Sequence, residues 1–176
     1  MVVLVDDAAR MSPTEAFESV FAFDNEGYVR RKKFTVTANL LCPRTVFDRV
    51  GGFEAGVSED IDWSHRAVRL GYRIGYAARA VVGHPARRTW PELTQKWRRT
   101  NAESYLLAAA NGGGTVRWFL RSLALPISAI AHTPKVLASA RLTNTDQRLA
   151  ALRVLYRLRW WRFINSLRLV ASGGSD

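Results

Sequence analysis

The run Gly51-Gly52-Phe53-Glu54-Ala55-Gly56-Val57-Ser58-Glu59-Asp60-Ile61-Asp62-Trp63 decides how the chain reads, because it sets a carboxylate pair at a helix start. Ser58 is the expected N-cap, Trp63, Ala67, Val68 and Leu70 form an apolar stripe, and Gly71 ends the helix. Just before the run, Pro43 opens a short helix that continues to Val50 and stops at Gly51-Gly52. Further upstream, Phe34, Val36, Ala38 and Leu40 alternate with Thr35, Thr37 and Asn39. That alternation predicts a half-buried strand with one polar face. Downstream, residues 72–76 and 80–84 read as two short strands, and Pro91 starts a helix reaching residue 110. Strands alternating with helices predict an α/β fold.

Working outward, the N-terminal residues 2–5 read as a short buried strand. Ser12-Pro13-Thr14-Glu15 is a helix start, with Ser12 as cap, Pro13 at the first helical position and Glu15 reaching back. That helix is expected to run to Phe23, with Phe17, Val20 and Phe21 on one face. Residues 24–33 are polar and end in Arg30-Arg31-Lys32-Lys33, the pattern of an exposed basic loop. Such a cluster either steers an anionic ligand or is a solvated face. Cys42 is the single cysteine, which excludes an intramolecular disulfide framework and suits a reducing compartment. Beside Pro43 it reads as a small buried hydrophobe. The apolar run at the start is too short for a signal peptide and meets Asp6-Asp7 at once.

Charge is unevenly spread along the 176 residues, whose formal total is +11. Residues 1–114 carry 16 basic and 13 acidic side chains, a balance of +3. Residues 115–176 carry 10 basic and 2 acidic, a balance of +8. This asymmetry points to an anionic partner for the last third. Gly112-Gly113-Gly114 breaks the preceding helix, so two regions are expected: 1–112, and an amphipathic extension over 113–176. Residues 118–140 are apolar, but Arg121, Pro126, His132 and Lys135 interrupt them. The longest uncharged reach, Ser122 to Pro134, falls short of the roughly 20 residues a membrane-spanning helix needs. Residues 147–170 set Leu149, Leu152, Leu155, Tyr156, Trp160, Phe163 and Leu167 against six arginines, among them Arg153, Arg157, Arg159 and Arg162. That stripe either lies in a membrane interface or packs on the protein's own core. A Gly/Ser tail begins at Ser172.

Candidate chemistry gathers around the central run. Glu59 and Asp60 are adjacent, so on a helix they diverge and cannot act as a facing pair. Orphan N–H groups at a helix start stabilise both as anions, the state in which either would serve as a general base toward a hydroxyl. Equally, acidic residues there are ordinary capping groups. Asp60-Ile61-Asp62 has Asp-x-Asp spacing, but inside a helix its carboxylates would diverge from a shared cation. His84, before Pro85 at a strand end, is a structural histidine or a metal ligand. Arg87, Arg88, Lys96, Arg98 and Arg99 place five cations within thirteen positions, either a phosphate-binding group or a solvated face.

As a set, several pieces resemble family 2 glycosyltransferases. They are Thr37-Ala38-Asn39-Leu40, Val50-Gly51-Gly52-Phe53, Ser58-Glu59-Asp60-Ile61-Asp62-Trp63, Arg66, Gly71-Tyr72-Arg73-Ile74, Tyr76 and His84, spanning about residues 12–100. The resemblance implies the acceptor half of a GT-A domain: a partial Rossmann-like sheet with flanking helices, followed by C-terminal amphipathic helices. It implies inverting transfer of a sugar from a nucleotide-diphosphate donor to a hydroxyl of a glycan or lipid-linked acceptor, in envelope or exopolysaccharide synthesis. Asp60 would be the base, tuned by Arg66 or by a basic residue on the following helix, with Glu59 supporting. Thr37, Asn39, Trp63 and Arg66 would bind substrate, His84 a metal, and Arg87, Arg88, Gln95, Arg98 and Arg99 the phosphates. Gln95-Lys96-Trp97-Arg98-Arg99 is similar to the Gln-x-x-Arg-Trp signature of processive members, with Arg99 in the tryptophan's place. A divalent cation, Mg2+ or Mn2+, is implied, though its Asp-x-Asp ligands and the donor half are expected outside this chain, which reads as the C-terminal part of a larger enzyme or as a truncated gene product. The location implied is cytoplasmic and peripheral, on the inner face of the cell membrane. The alternatives are a non-catalytic basic module that binds anionic membrane or, less in keeping with its amphipathic spacing, nucleic acid, and a degenerate scaffolding remnant.

Overall fold

A computed structural model describes residues 2–54, 58–110 and 114–172. Residues 55–57 of the central run, the Gly112-Gly113 break with the expected division at 112/113, and the tail beyond Ser172 lie outside them. The element order is β1 (Val2–Leu4), α1 (Pro13–Phe21), α2 (Asn25–Gly27) continuing into a π-turn (Tyr28–Lys32), a 3-10 turn (Thr37–Asn39), and α3 (Arg44–Val50). There follow α4 (Glu59–Arg69), β2 (Gly83–Pro85), α5 (Trp90–Ala110), α6 (Gly114–Leu137) and α7 (Thr145–Ala171).

The expected α/β architecture is not what forms. The described residues are predominantly helical, and the two three-residue strands pair only with each other. Among the described residues there is no Rossmann-like sheet, so they do not form a GT-A domain. Residues 34–41 show why alternation misled. A strand needs a neighbour for its N–H groups, and here side chains of α4 take them instead. Ser64 Oγ accepts from the Thr35 N–H at 3.2 Å and Asp60 Oδ1 from the Thr37 N–H at 2.7 Å. With those donors satisfied, the segment turns at Thr37–Asn39 rather than extending. Residues 72–76 likewise form no strand, and 80–84 contribute only the start of β2. Residues 24–33 are not a free loop either, since Asn25, Gly27 and Val29 are buried within α2 and the π-turn.

The helix signals fared better. Ser12 and Glu15 close the expected capping box, with Ser12 N donating to Glu15 Oε2 at 2.7 Å and Glu15 N to Ser12 Oγ at 3.2 Å. The helix stops at Phe21, short of the expected Phe23. Ser58 does hold the N-cap position of α4, but its backbone carbonyl, not its hydroxyl, receives the Ile61 and Asp62 N–H groups. Gly51 and Gly71 both have φ of +87°, the left-handed region in which a side chain would be strained, and they end α3 and α4.

By its contacts the chain forms two compact units, Met1–Val2 with Phe23–His84, and Val3–Ala22 with Pro85–Asp176. The first has a small core of Val50, Trp63 and Ala67, with Val46, Phe47 and Tyr72 packed against it. The second is a helical assembly in which α7 packs against α1, α5 and α6. Phe17 and Val20 of α1, Leu93 of α5, Val136 of α6, and Leu155 and Leu158 of α7 meet there. Fully burying a side chain such as Leu155 stabilises by about 1.5–3 kcal/mol, so α7 is the element the unit is built on. Asn144 caps α7 through Oδ1, which accepts from Gln147 N at 2.9 Å.

Candidate functional site

In the first unit, each expected catalytic or substrate-binding side chain that bonds inside the unit does so structurally. Asp60 is half-buried and anchors Thr37. Arg66 does not reach Asp60; its Nε donates to Asp62 Oδ2 at 2.8 Å, and its other nitrogens donate to the carbonyls of Val50 and Gly52, each at 2.6 Å. It thereby caps the end of α3. Trp63 Nε1 donates to Gly51 O at 2.8 Å, and Asn39 Nδ2 to Ala80 O at 3.0 Å. Asn39 and Trp63 also line a cavity of about 130 Å3, which Asp60 does not line. That volume is below the ~300 Å3 at which ligand pockets begin. Cys42 is half-buried against the core beside this cavity, close to its expected role.

His84 packs its ring on Phe23, with centroids 4.8 Å apart, and no group of three or more metal-ligating side chains exists among the described residues. Four of the five downstream cations are paired with carboxylates. Glu18, almost fully buried, accepts from Arg87 Nη1 at 3.0 Å and from Lys96 Nζ at 3.0 Å. Burial pulls the Lys96 ammonium below its ordinary pKa, with Glu18 opposing. Arg88 pairs with Asp6 at 2.7 Å, and Arg99 lies 3.7 Å from Glu103. Of the five expected phosphate ligands, only Gln95 and Arg98 form no ion pair or hydrogen bond among the described residues, and both point to solvent. Sequence proximity of cations said nothing about Glu18, which lies 69 positions from Arg87.

What the second unit exposes is more informative. On α6, Val116, Leu120, Leu123, Ile127, Ile130 and Leu137 are all exposed, at steps of 4, 3, 4, 3 and 7 residues. Val116, Leu120, Ile127 and Ile130 have 72%, 61%, 68% and 65% of their surface open. At 1.5 Å per residue the stripe is about 30 Å long. The buried side of the same helix holds Trp118, Ser122, Ala129 and Val136. Stepping ~100° per residue, the exposed stripe lies opposite that side, with Arg117, Arg121 and Lys135 along one border. No aspartate or glutamate occurs in α6. On α7, Tyr156 and Trp160 are also exposed, among Arg153 and Arg157. The stripe of residues 147–170 is therefore divided, Leu155 entering the core and Trp160 facing out. The periodicity of α6 was legible beforehand in its spacing, but the prolines at 126 and 134 hid it; the helix continues through both.

Among the described residues no helix is long and apolar enough to cross a membrane. Compared with known proteins, the chain matches no family, no curated protein and no solved structure. The resemblance to family 2 glycosyltransferases thus finds neither a relative nor a GT-A sheet to support it, and the likeness of short motifs is withdrawn as a sign of kinship.

Proposed function

We propose that the second unit is a peripheral module that lays the outer face of α6 into the interface of an anionic membrane. The carrying observation is the continuous exposed apolar stripe of α6 bordered by cations and free of acids. An apolar face of this length has a cost in water that immersion at the headgroup–acyl boundary removes. The basic border and the +8 balance of residues 115–176 supply attraction to phosphate headgroups, on the order of 1 kcal/mol per cation near the surface. The leaflet that fits is the anionic one facing the cytoplasm.

Two rivals are weaker on the same facts. A second copy seated on α6 would set like charges together, since the helix has no acid to pair with Arg117, Arg121 or Lys135. Nucleic acid would use the cations and leave the apolar stripe in water. Sugar transfer, with its nucleotide-sugar donor, glycan or lipid-linked acceptor and divalent cation, was implied by the resemblance alone, and the helical fold leaves it without a structural footing.

The test is co-sedimentation of the full chain with vesicles of phosphatidylcholine alone and of phosphatidylcholine mixed with phosphatidylglycerol, beside a gel shift with random DNA. Binding to the anionic vesicles that weakens but persists at high salt supports the reading. Salt-sensitive DNA binding without vesicle binding, or a dimer that hides the stripe, overturns it.

A further inference from the structure

Where α5, α6 and α7 meet, donors outnumber acceptors. The Arg162 guanidinium lies over the Trp97 ring at 3.9 Å, and its Nη2 donates to Asn101 Oδ1 at 3.2 Å. Its Nε is buried without a partner, and so is Trp97 Nε1 beside it. On α6, Trp118 Nε1 is a third buried donor without an acceptor, and Arg121 sits over that ring at 5.5 Å. The remaining local acceptors are engaged: Asn165 Oδ1 and Ser166 Oγ receive Asn101 Nδ2 at 3.1 and 3.0 Å. Arg159, one turn before Arg162, is half-buried, and among the described residues no carboxylate pairs with Arg121, Arg159 or Arg162. Arg159 and Arg162 thus lie half-buried one turn apart without a counter-charge among the described residues, and the exposed Arg121 of α6 adds its charge from outside.

We propose that this junction binds a phosphate group, gripped by Arg162 and Arg159, assisted by Arg121 and by the indole N–H of Trp97. Buried cations without an acid are costly, and buried N–H donors without acceptors add to that cost. Burial, then Arg159 and Arg121, pulls Arg162 down to about 9, and burial lowers Arg159 too, so the charged forms are held against their surroundings. An entering anion reverses this. Phosphate fits better than a carboxylate because the forks and the indole present more donors than two oxygens would occupy. The site does not depend on the membrane reading: Trp97, Arg159 and Arg162 lie on α5 and α7, and only the assisting Arg121 also borders the apolar stripe of α6.

The experiment is thermal unfolding of the full chain near neutral pH in sodium phosphate against sodium chloride of equal ionic strength. A saturable rise in midpoint specific to phosphate is expected. Arg159→Gln, chosen because its guanidinium makes no hydrogen bond that folding needs, should weaken apparent phosphate affinity about tenfold or more at unchanged far-UV circular dichroism. Arg162→Lys should weaken it as well, keeping the charge but losing the fork. Equal midpoints in phosphate and chloride, or the same phosphate response in Arg159→Gln, overturn the site. Vesicles separate the sources. If a lipid headgroup supplies the phosphate, vesicles with phosphatidic acid bind better than phosphatidylserine vesicles of equal charge, free phosphate competes, and Arg159→Gln removes the preference. If the ligand is a free phosphate, the thermal response stands without that preference. Loss of the phosphate response with retained binding to anionic vesicles defeats this site alone; the converse defeats the membrane reading alone.

Discussion

Replacing Leu120, Ile127 and Ile130 together by alanine isolates the apolar stripe from both charge and fold. Their open fractions of 61%, 68% and 65% mean that about two-thirds of each side chain is available to an apolar phase. Full burial of such a side chain is worth about 1.5–3 kcal/mol, so two-thirds of it, less the retained Cβ, leaves about 1 kcal/mol per site. Three sites then lose about 3 kcal/mol of transfer, about a hundredfold in the vesicle partition coefficient. Alanine keeps the helix, and substitutions at open positions usually change folding stability by no more than ~0.5 kcal/mol each. Were the stripe packed on the protein's own core, each truncation would instead cost about 2–5 kcal/mol of stability. The assay pairs vesicle partitioning with urea unfolding of the same protein. A partition coefficient unchanged within threefold, or a large loss of stability with binding intact, refutes the reasoning.

Three further outcomes follow from the packing and the caps. Leu155→Ala empties a fully buried position and should lower the stability of the second unit by about 2–5 kcal/mol in urea titration. Asp60→Ala removes the acceptor of the Thr37 N–H; a charged hydrogen bond of this kind is worth about 1.5–3 kcal/mol, and amide exchange across residues 34–41 should quicken while the second unit is unaffected. The Glu92 carboxyl is held below its ordinary 4.5 by the N–H groups of Arg88 and then Thr89. A depressed carboxylate contributes stability above its unfolded value and loses it as pH falls through the folded one. Glu92→Gln should therefore be less stable than the parent at neutral pH and converge with it in acid, and a constant difference down to strongly acid pH contradicts that.

Helix termini were legible because a cap is a local contract between residues three or four apart, and Ser12 with Glu15 fulfils it within one turn. The strands were not, because a period of two records only which side chains face inward. Whether Thr35 and Thr37 extend depends on a partner 23 or more positions away, and here Ser64 and Asp60 intervene. The same distance effect hid the surroundings of the downstream cations, since Glu18 and Asp6 pair with Arg87 and Arg88 from the other end of the chain. Asp60 stood out for a sound reason, an acid at a helix start, and in the fold its carboxylate receives the Thr37 N–H, a partner 23 positions away. The orphaned donors of Trp97, Trp118 and Arg162 left no trace in sequence, because nothing local shows that the carboxylates are elsewhere.

The strongest pointer to the membrane is the way α6 distributes its bulk. Its buried side offers Trp118, Ser122, Ala129 and Val136 to the unit, while four leucines, isoleucines or valines, each more than 60% open, lie on the other. A helix whose only alternative to the core is water lowers its free energy by turning the larger apolar side inward. Its orientation is set by packing along α7, with Ala129 and Val136 in the core and Thr133 Oγ1 3.0 Å from Tyr156 Oη, and by Trp118 against Tyr105. On the proposed reading, a second apolar medium offsets the cost of leaving the outer side in water. The cations along its border, with no acid on the helix, favour an anionic interface over another protein helix as the medium proposed.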